Sequence, residues 1–237
     1  MRGKGIYMSE SDNTTPYAAS QYDEQIRRTL RHYDLFYEET IRLVEAVNPH
    51  PDVWFDTGCG TGTLVEKAAD VFRATRFILA DPSMGMLEEA GKKLSHYGAA
   101  RVRILGPAAT CGVSLDPEDS PDVITAIQSH HYHSMGWRRK ATETSFSLLR
   151  PGGIFITFEN IRPFTAKGIE TALRMWRRFQ LESGRKQADV ERHIARLDTE
   201  YFPVTVEDHL RVYRGCGFGT VELFWYSCMQ AGFYCIK

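Results

Sequence analysis

The stretch VWFDTGCGTGTL, residues 53–64, constrains the fold more than any other part of the chain. An apolar run leads to Asp56 and then to glycines at positions 58, 60 and 62. Glycine tolerates positive φ and lets a ligand lie against the backbone, and a helix that follows such a turn offers unpaired N–H groups. The stretch therefore predicts a strand, a ligand-binding turn and a helix, the arrangement found in open parallel α/β sheets.

Strand-like and helical segments alternate around this turn. Apolar runs of strand length occupy residues 52–57, 75–80, 101–105 and 121–127, with a fifth, IFITFE, after LLRPGG. Helical patterns separate them at 62–73, 82–95 and 137–149. At the end of the chain, VELFWYS and AGFYCIK predict an antiparallel hairpin. We therefore predict an α/β fold with a Rossmann-like seven-stranded sheet, mostly parallel with an antiparallel C-terminal hairpin, and helices on both faces.

Two segments at the start of the chain lie outside the alternation. Residues 1–16 are polar and without periodicity, which predicts a mobile tail. Residues 23–47 carry apolar side chains three or four positions apart and end at Asn48-Pro49, which predicts an amphipathic cap helix. Residues 17–237 would then form a single domain, of a length that can bury its own core.

A helical insertion is predicted after the fifth strand, over residues 163–198. Two helical patterns follow one another there, and from Thr165 to Arg196 eight basic residues stand against four acidic ones. The segment is either a packed insertion with a solvated basic face or a lid over the carboxyl edge of the sheet. In the lid interpretation the stripe of Ile169, Leu173, Trp176 and Phe179 packs inward, and Arg174 and Arg178 face an anionic acceptor.

Composition excludes several classes of protein. With 29 basic and 30 acidic side chains the net charge is −1, so nothing draws the chain to nucleic acid. No apolar run approaches the roughly 18 to 20 residues of a membrane span. The five cysteines are odd in number and form no CxxC pair, and no secretory signal is present, so we expect a cytoplasmic protein.

The glycine pattern is neither of two common nucleotide motifs. Residue 63 is threonine where a dinucleotide fingerprint has its third glycine, and no Gly-Lys-Ser/Thr ending marks a phosphate loop. Three further segments follow in order: ADPSMGML, with Asp81 nineteen residues after Gly62, then PDVITAIQSHHYHS, then LLRPGG. Together with DTGCGTG, they resemble the class I S-adenosylmethionine (SAM)-dependent methyltransferases over roughly residues 50–160 and the final hairpin.

The resemblance implies SAM as the cofactor and S-adenosylhomocysteine (SAH) as the product. It implies that the glycine loop holds the methionine end of SAM and that Asp81 binds both ribose hydroxyls. The candidate cofactor-binding residues are Asp56, Gly58, Cys59, Gly60, Gly62, Asp81, Pro82, Met86 and Gln128. A helix N-cap role for Asp81 and core packing for Met86 remain open as alternatives.

The SHHYHS segment after the fourth strand places three histidines where an acceptor would arrive. Histidine is the natural base at neutral pH, so His131 and His133, with Glu159 after strand five, are the candidate catalytic groups. Packing at the strand end for the histidines and a cap or salt-bridge role for Glu159 stay open. No metal is predicted, because no cysteine or carboxylate stands beside the histidines in sequence. The expected partner is a small-molecule acceptor, with an anionic one and a homodimer left open.

A narrower resemblance concerns the two ends of the chain. YDEQIRRTLRHYDLFY, VEDHLRVYRGCGFGTVELFWYS and AGFYCIK are similar to the branch that contains the carboxy-SAM synthases of tRNA wobble-uridine modification. That branch uses an arginine ahead of the VEDH-like segment for the added carboxylate, and Arg192 and Arg196 lie there without falling cleanly in register. We predict a SAM-dependent methyltransferase of small molecules; the alternatives are a carboxy-SAM synthase-like enzyme and a non-catalytic SAM-binding protein.

Overall fold

The computed structural model describes residues 15–237, so nearly all of the predicted N-terminal tail lies outside the described residues. Eight α-helices occur within this range: α1 Tyr22–Arg27, α2 Tyr33–Val47, α3 Thr63–Val71, α4 Met84–Leu94, α5 Met135–Leu148, α6 Ala166–Glu182, α7 Gln187–Ala195 and α8 Val206–Gly215. The strands are β1 Val53–Thr57, β2 Arg76–Ala80, β3 Val102–Ile104, β4 Val123–Ile127, β5 Ile154–Asn160, β6 Thr220–Ser227 and β7 Gln230–Ile236.

The seven strands of residues 15–237 form one sheet in the order β3-β2-β1-β4-β5-β7-β6. The first five are parallel, while β7 runs antiparallel to β5 and β6 antiparallel to β7. The prediction of a mostly parallel seven-stranded sheet with an antiparallel C-terminal hairpin is confirmed. Strands β1 and β5 are buried along their whole length, as expected for strands covered by helices on both faces.

The strand order reverses beside β1, which pairs with β2 on one side and with β4 on the other. Asp56, near the end of β1, lies opposite Leu79 on β2 and Thr125 on β4. In open α/β sheets ligands bind outside the carboxyl ends of the strands at such a switch point. The fold therefore brings the glycine loop after β1 and the residues after β4 to one binding edge.

The segment predicted as one cap helix forms two helices, α1 and α2. His32 adopts a left-handed conformation with φ 65°, and a helical turn cannot continue through it. The apolar stripe still faces inward, since Ile26, Leu30, Tyr33 and Tyr37 are all buried. Neither glycine nor proline marks the break, so it has no local signal in the sequence.

The insertion after β5 consists of α6 and α7, and α6 packs on the N-terminal helices. Trp176 is buried and its Nε1 donates to the Thr29 carbonyl oxygen at 2.6 Å. Arg174 and Arg178 lie on the opposite face of α6, exposed and paired along the helix with Glu170 and Glu182. The expectation that these two arginines meet an acceptor is therefore wrong.

Helix α8 was not among the predicted helices. Its first turn carries a capping box in which the Thr205 hydroxyl accepts from the Asp208 N–H at 3.2 Å, and the Asp208 carboxylate accepts from the Thr205 N–H. The sequence TVED contains this signature. Helix α8 packs beside β6 and supports the antiparallel edge of the sheet.

Candidate active site

The glycine loop between β1 and α3 is left-handed at all three of its glycines. A Cβ at Gly58 would lie 2.4 Å from the Ser129 Cβ, so only glycine lets the loop approach the segment after β4. At Gly62, which precedes α3, a Cβ would lie 2.9 Å from Leu94, so this glycine serves the packing of α3 against α4. At Gly60 a Cβ would meet no heavy atom within 4 Å, so the loop is open on that side.

A cleft lies against this loop. Four of the predicted cofactor-binding residues line it, namely Asp56, Gly58, Cys59 and Gly60. Three tyrosines of the N-terminal helices form another part of its wall: Tyr22, Tyr33 and Tyr37. The Tyr37 hydroxyl donates to the Tyr33 hydroxyl, and burial raises the pKa of all three tyrosines well above its usual value. Helical periodicity placed Tyr33 and Tyr37 on a buried stripe and gave no sign that the stripe also faces a cleft.

Asp81, at the end of β2, connects the loop to helix α4. Its Oδ2 accepts from the Gly60 N–H at 2.9 Å, and its Oδ1 accepts from the Ser83 N–H at 2.8 Å. Burial raises the pKa of Asp81, and the two backbone hydrogen bonds oppose that rise. Helix α4 is capped by Ser83, whose hydroxyl accepts from the Met86 N–H, so the N-cap alternative for Asp81 is wrong.

The two predicted residues next to Asp81 do not line the cleft in this structure. Pro82 is exposed to solvent. Met86 is buried in the hydrophobic core beside Leu79 and Leu94. Met86 therefore packs in the core, as the alternative interpretation predicted.

Asp56 is buried at the floor of the cleft, and its two carboxyl oxygens differ. Oδ1 accepts from the Thr125 hydroxyl at 2.7 Å, while Oδ2 has no hydrogen-bond partner among the described residues. Burial raises the pKa of Asp56 to about 7, against the Thr125 hydrogen bond that lowers it, and the charge of Asp81 adds to the rise. A buried carboxylate oxygen without a donor points to a cationic or donor group of a ligand.

Gln128 follows β4 with a left-handed backbone, φ 56°. Its side-chain Nε2 and Oε1 are both buried without a hydrogen-bond partner among residues 15–237, and so is the Ser129 hydroxyl. Each such atom costs about 1–3 kcal/mol unless something outside the chain satisfies it. Gln128, Ser129 and Asp56 therefore place unsatisfied donors and acceptors at the same edge of the sheet.

His131 and Glu159 form a buried pair beyond Gln128. The His131 Nδ1 lies 2.9 Å from the Glu159 Oε2, and the other carboxyl oxygen of Glu159 accepts from the His130 N–H and the Thr157 hydroxyl. Burial alone would raise the pKa of Glu159, but the hydrogen bond with His131 and nearby positive charges lower it to about 2. Burial lowers the pKa of His131 despite the carboxylate. An anionic Glu159 accepts a hydrogen bond from the Nδ1–H of a neutral His131, which leaves Nε2 unprotonated.

The other two histidines of the segment have packing roles. His130 is buried against Phe155, its Nε2 lies 3.1 Å from the Thr110 hydroxyl, and burial lowers its pKa to about 4. His133 is half-buried, and its ring stacks on Trp137 with the centroids 3.6 Å apart. Of the predicted catalytic groups, the structure thus brings His131 and Glu159 together and places His133 on a neighbouring tryptophan.

No group of three or more histidine, cysteine, aspartate or glutamate side chains within residues 15–237 is placed to hold a metal ion. Over the same residues, no helix is both long and apolar enough to cross a membrane.

Comparison with known proteins bears directly on this site. Residues 55–153 match the model of a methyltransferase domain family. A carboxy-S-adenosyl-L-methionine synthase of Trichodesmium erythraeum is 22% identical over 214 residues, which cover 89% of this chain and 78% of the relative.

Solved structures share the fold. A protein of Nostoc punctiforme, provisionally classed as an O-methyltransferase, has a TM-score of 0.67 at 14% identity, with 92% of this chain covered. Human N-acetylserotonin methyltransferase, solved in complex with SAM, has a TM-score of 0.54 at 12% identity and the same coverage of this chain. This chain spans 60% of the first structure's length and 58% of the second's. Residues 55–153 thus match a methyltransferase domain, and the relatives and the shared fold extend the likeness to SAM-dependent enzymes over most of the chain.

Proposed function

We propose that the protein transfers the methyl group of SAM to a small-molecule acceptor that binds beside His131. The observation that carries the proposal is the buried His131–Glu159 pair at the carboxyl ends of β4 and β5. A neutral imidazole held by a buried carboxylate is suited to accept a proton. A protein that only stores SAM has no use for such a base, so the pair favours an enzyme over a non-catalytic SAM-binding protein.

The residues at the cleft fit the cofactor. The unpartnered Asp56 Oδ2 suits the ammonium group of SAM. The Gln128 amide offers the rest of the cofactor both a donor and an acceptor. The open side of Gly60 leaves room beside the loop, and we assign the ribose hydroxyls to Asp81, whose Oδ2 also accepts from the Gly60 N–H. When bound, SAM supplies an electrophilic methyl group on a positively charged sulfur.

The chain's own contribution to the reaction is positioning and proton removal. Displacement at the methyl carbon chiefly needs an aligned nucleophile and the exclusion of water. An acceptor O–H or N–H would lose its proton to the His131 Nε2, and Glu159 would stabilise the resulting imidazolium. Glu159 does not act as the base itself, because both of its oxygens already accept hydrogen bonds inside the protein.

We propose that the acceptor binds next to His131, among the polar side chains of Gln180, Arg185, His193, Arg196 and Tyr201. The Tyr201 ring lies 6.2 Å from the His131 ring and 6.0 Å from the His193 ring. The Tyr201 hydroxyl, both ring nitrogens of His193 and the Gln180 Nε2 are buried without partners among the described residues. Two guanidinium groups act electrostatically on His193: that of Arg185, and that of the buried Arg196, which also pairs with Glu200 at 2.7 Å. Their positive charge favours an anionic acceptor.

SAH formation with a panel of small carboxylates and their neutral amides tests the acceptor assignment. Arg185→Gln should raise the KM for the anionic acceptors about three- to thirtyfold, the loss expected for a charge-assisted contact, and leave SAM affinity unchanged. Arg178→Gln is the matched control, because Arg178 lies on the solvated face of the preceding helix. Equal turnover of carboxylates and amides by wild type would contradict an anionic acceptor.

A carboxy-SAM synthase-like activity is the second candidate. The curated relatives of that name align with most of this chain, and Arg196 is buried near His131 in the region where that branch holds its carboxylate. Arg192 is largely exposed and does not compete for that role. Native mass spectrometry of the purified protein separates the two activities: a retained ligand heavier than SAM by one carboxylate group supports the synthase, and SAM or SAH supports the methyltransferase.

We further propose a cytoplasmic homodimer. All five cysteines are free, as expected in a reducing compartment. The edge strand β6 exposes Leu223 and Tyr226, a surface that a second copy could cover. Analytical ultracentrifugation at micromolar concentration tests the assembly, and a monomer at every concentration would contradict it.

A further inference from the structure

A network of polar side chains joins α1 to the glycine loop. The Asp23 Oδ2 lies 2.7 Å from the Lys93 Nζ, and the Asp23 Oδ1 accepts from the hydroxyls of Thr61 at 2.7 Å and Thr63 at 3.2 Å. Lys93 also donates to Thr63 at 2.6 Å and to Thr61 at 3.1 Å. We call these four residues the Asp23 latch. Its ion pair is partly shielded from water, with the Lys93 side chain 18% exposed and that of Asp23 35% exposed.

The latch joins α1 to the glycine loop and to α4. Thr61 lies in the glycine loop and lines the cleft, and Thr63 is the first residue of α3. Lys93 lies on α4, the helix that follows Asp81. Asp23 lies on α1 directly after Tyr22, which forms part of the cleft wall. One carboxylate therefore ties the segment that carries Tyr22 to the glycine loop and to α4.

We propose that Asp23 is a positioning residue that holds α1 closed over the cofactor and thereby sets how long SAM and SAH stay bound. With the latch formed, Tyr22 narrows the cleft; with it broken, α1 is free to move away and the cofactor can leave. The inference rests on SAM binding at the glycine loop, the cofactor assignment under Proposed function. It needs no role for Asp23 in methyl transfer itself.

The same N-terminal segment supplies a matched control. Arg27 on α1 pairs with Asp34 on α2 at 3.0 Å, with both side chains more than 40% exposed. This ion pair involves neither the glycine loop nor α4. Breaking it removes a contact of the same chemical type from the same helices and leaves the latch intact.

The dissociation rate of SAH, measured by stopped-flow displacement with excess SAM, tests the latch. Asp23→Asn and Lys93→Met should each raise this rate about 3- to 30-fold, the range expected for losing a partly shielded charge-assisted contact. The double variant should show little further increase, because the two residues act as one unit. Asp34→Asn should leave the rate within a factor of two of wild type, as roughly expected for an exposed pair.

Amide hydrogen exchange of residues 22–27 in the free protein gives a second readout, which does not depend on the cofactor. Exchange there should be faster in Asp23→Asn than in Asp34→Asn. A normal SAH dissociation rate in Asp23→Asn contradicts the latch, and so does an equal increase in Asp34→Asn. A lower melting temperature with unchanged dissociation and exchange would show a purely structural contact, which also contradicts it. Failure of the wild-type protein to bind SAH would instead contradict the cofactor assignment itself.

Discussion

At the scale of single residues, burial and ligand binding have opposite effects on Asp56: burial favours the neutral carboxyl, and a cationic ligand favours the charged one. Its pKa is raised from 3.8 to about 7, chiefly because the carboxyl is buried. A raised pKa means that the folded protein binds this proton more tightly than the unfolded chain. The stability contributed by protonated Asp56 is thus fully present below pH 3.8 and is lost as the pH rises through about 7. A cationic ligand group at the free Oδ2 would stabilise the ionised carboxylate and so offset the stability that is lost when Asp56 ionises.

Cofactor affinity should therefore depend on pH. If the charged carboxylate holds the ammonium group, SAM affinity should rise about tenfold between pH 6 and pH 8, as the carboxyl with a pKa near 7 ionises. Asp56→Asn should abolish this dependence and weaken binding at pH 8 about 10- to 100-fold, since a hydrogen bond to a charged group is lost. Calorimetric titration at several pH values measures both effects. A wild-type affinity that does not change with pH would contradict this role for Asp56.

His131 should carry the proton transfer, if the acceptor has a proton to lose. His131→Asn should lower kcat about 10²- to 10⁴-fold, the usual contribution of a general base, with SAM affinity unchanged. His96→Asn, at an exposed position after α4, controls for the loss of a histidine. The measurement is SAH formation with an acceptor that wild type turns over. Wild-type kcat in His131→Asn would show that the pair with Glu159 is structural.

At the scale of elements, periodicity and turn residues were enough to predict the sheet and most of its helices. Each strand is a short apolar run, and the loop is marked by glycines that the backbone needs at positive φ. The break between α1 and α2 lay beyond prediction, because it rests on one left-handed residue, His32, whose type does not mark it. The pairing of His131 with Glu159 was equally hidden, because residues 28 positions apart meet only once β4 and β5 are aligned.

The glycine loop gives a sharp test of the cofactor assignment. Gly60 and Gly98 both have positive φ, 54° and 74°, and an added Cβ would meet no heavy atom within 4 Å at either position. Valine should therefore strain the backbone at both, at roughly 1–3 kcal/mol of stability each. Of the two, Gly60 alone lines the cleft, so Gly60→Val should weaken SAM binding about a hundredfold or more, about 2.7 kcal/mol by the affinity relation. Thermal unfolding and calorimetry of both variants measure the two effects, and equal SAM affinity in the two would place the cofactor elsewhere.

At the scale of the whole molecule, the cleft is assembled from segments far apart in the chain. The N-terminal helices contribute tyrosines, β1 and the glycine loop contribute Asp56 and the open backbone, and the residues after β4 contribute unsatisfied polar groups. Helix α6 joins this assembly from the other side, through the bond from Trp176 to Thr29. A ligand in the cleft should therefore stabilise the N-terminal helices and α6 together.

This coupling predicts where SAH will protect the protein. At a hundred times its Kd, a ligand that binds only the folded state adds about 2.7 kcal/mol, which corresponds to a rise in melting temperature of roughly 5–10 °C for a chain of this size. Hydrogen exchange should slow most in α1, α2 and the middle of α6. In α8 and β6, which lie away from the cleft, it should slow only by the amount that the overall gain in the free energy of unfolding produces. Trp176→Phe removes the donor to Thr29 and should uncouple α6, so that SAH still slows exchange in α1 and α2 but no longer in α6. The Trp176 bond does not transmit the effect of the ligand if SAH protects the whole chain uniformly. The same conclusion follows if SAH still protects α6 in Trp176→Phe.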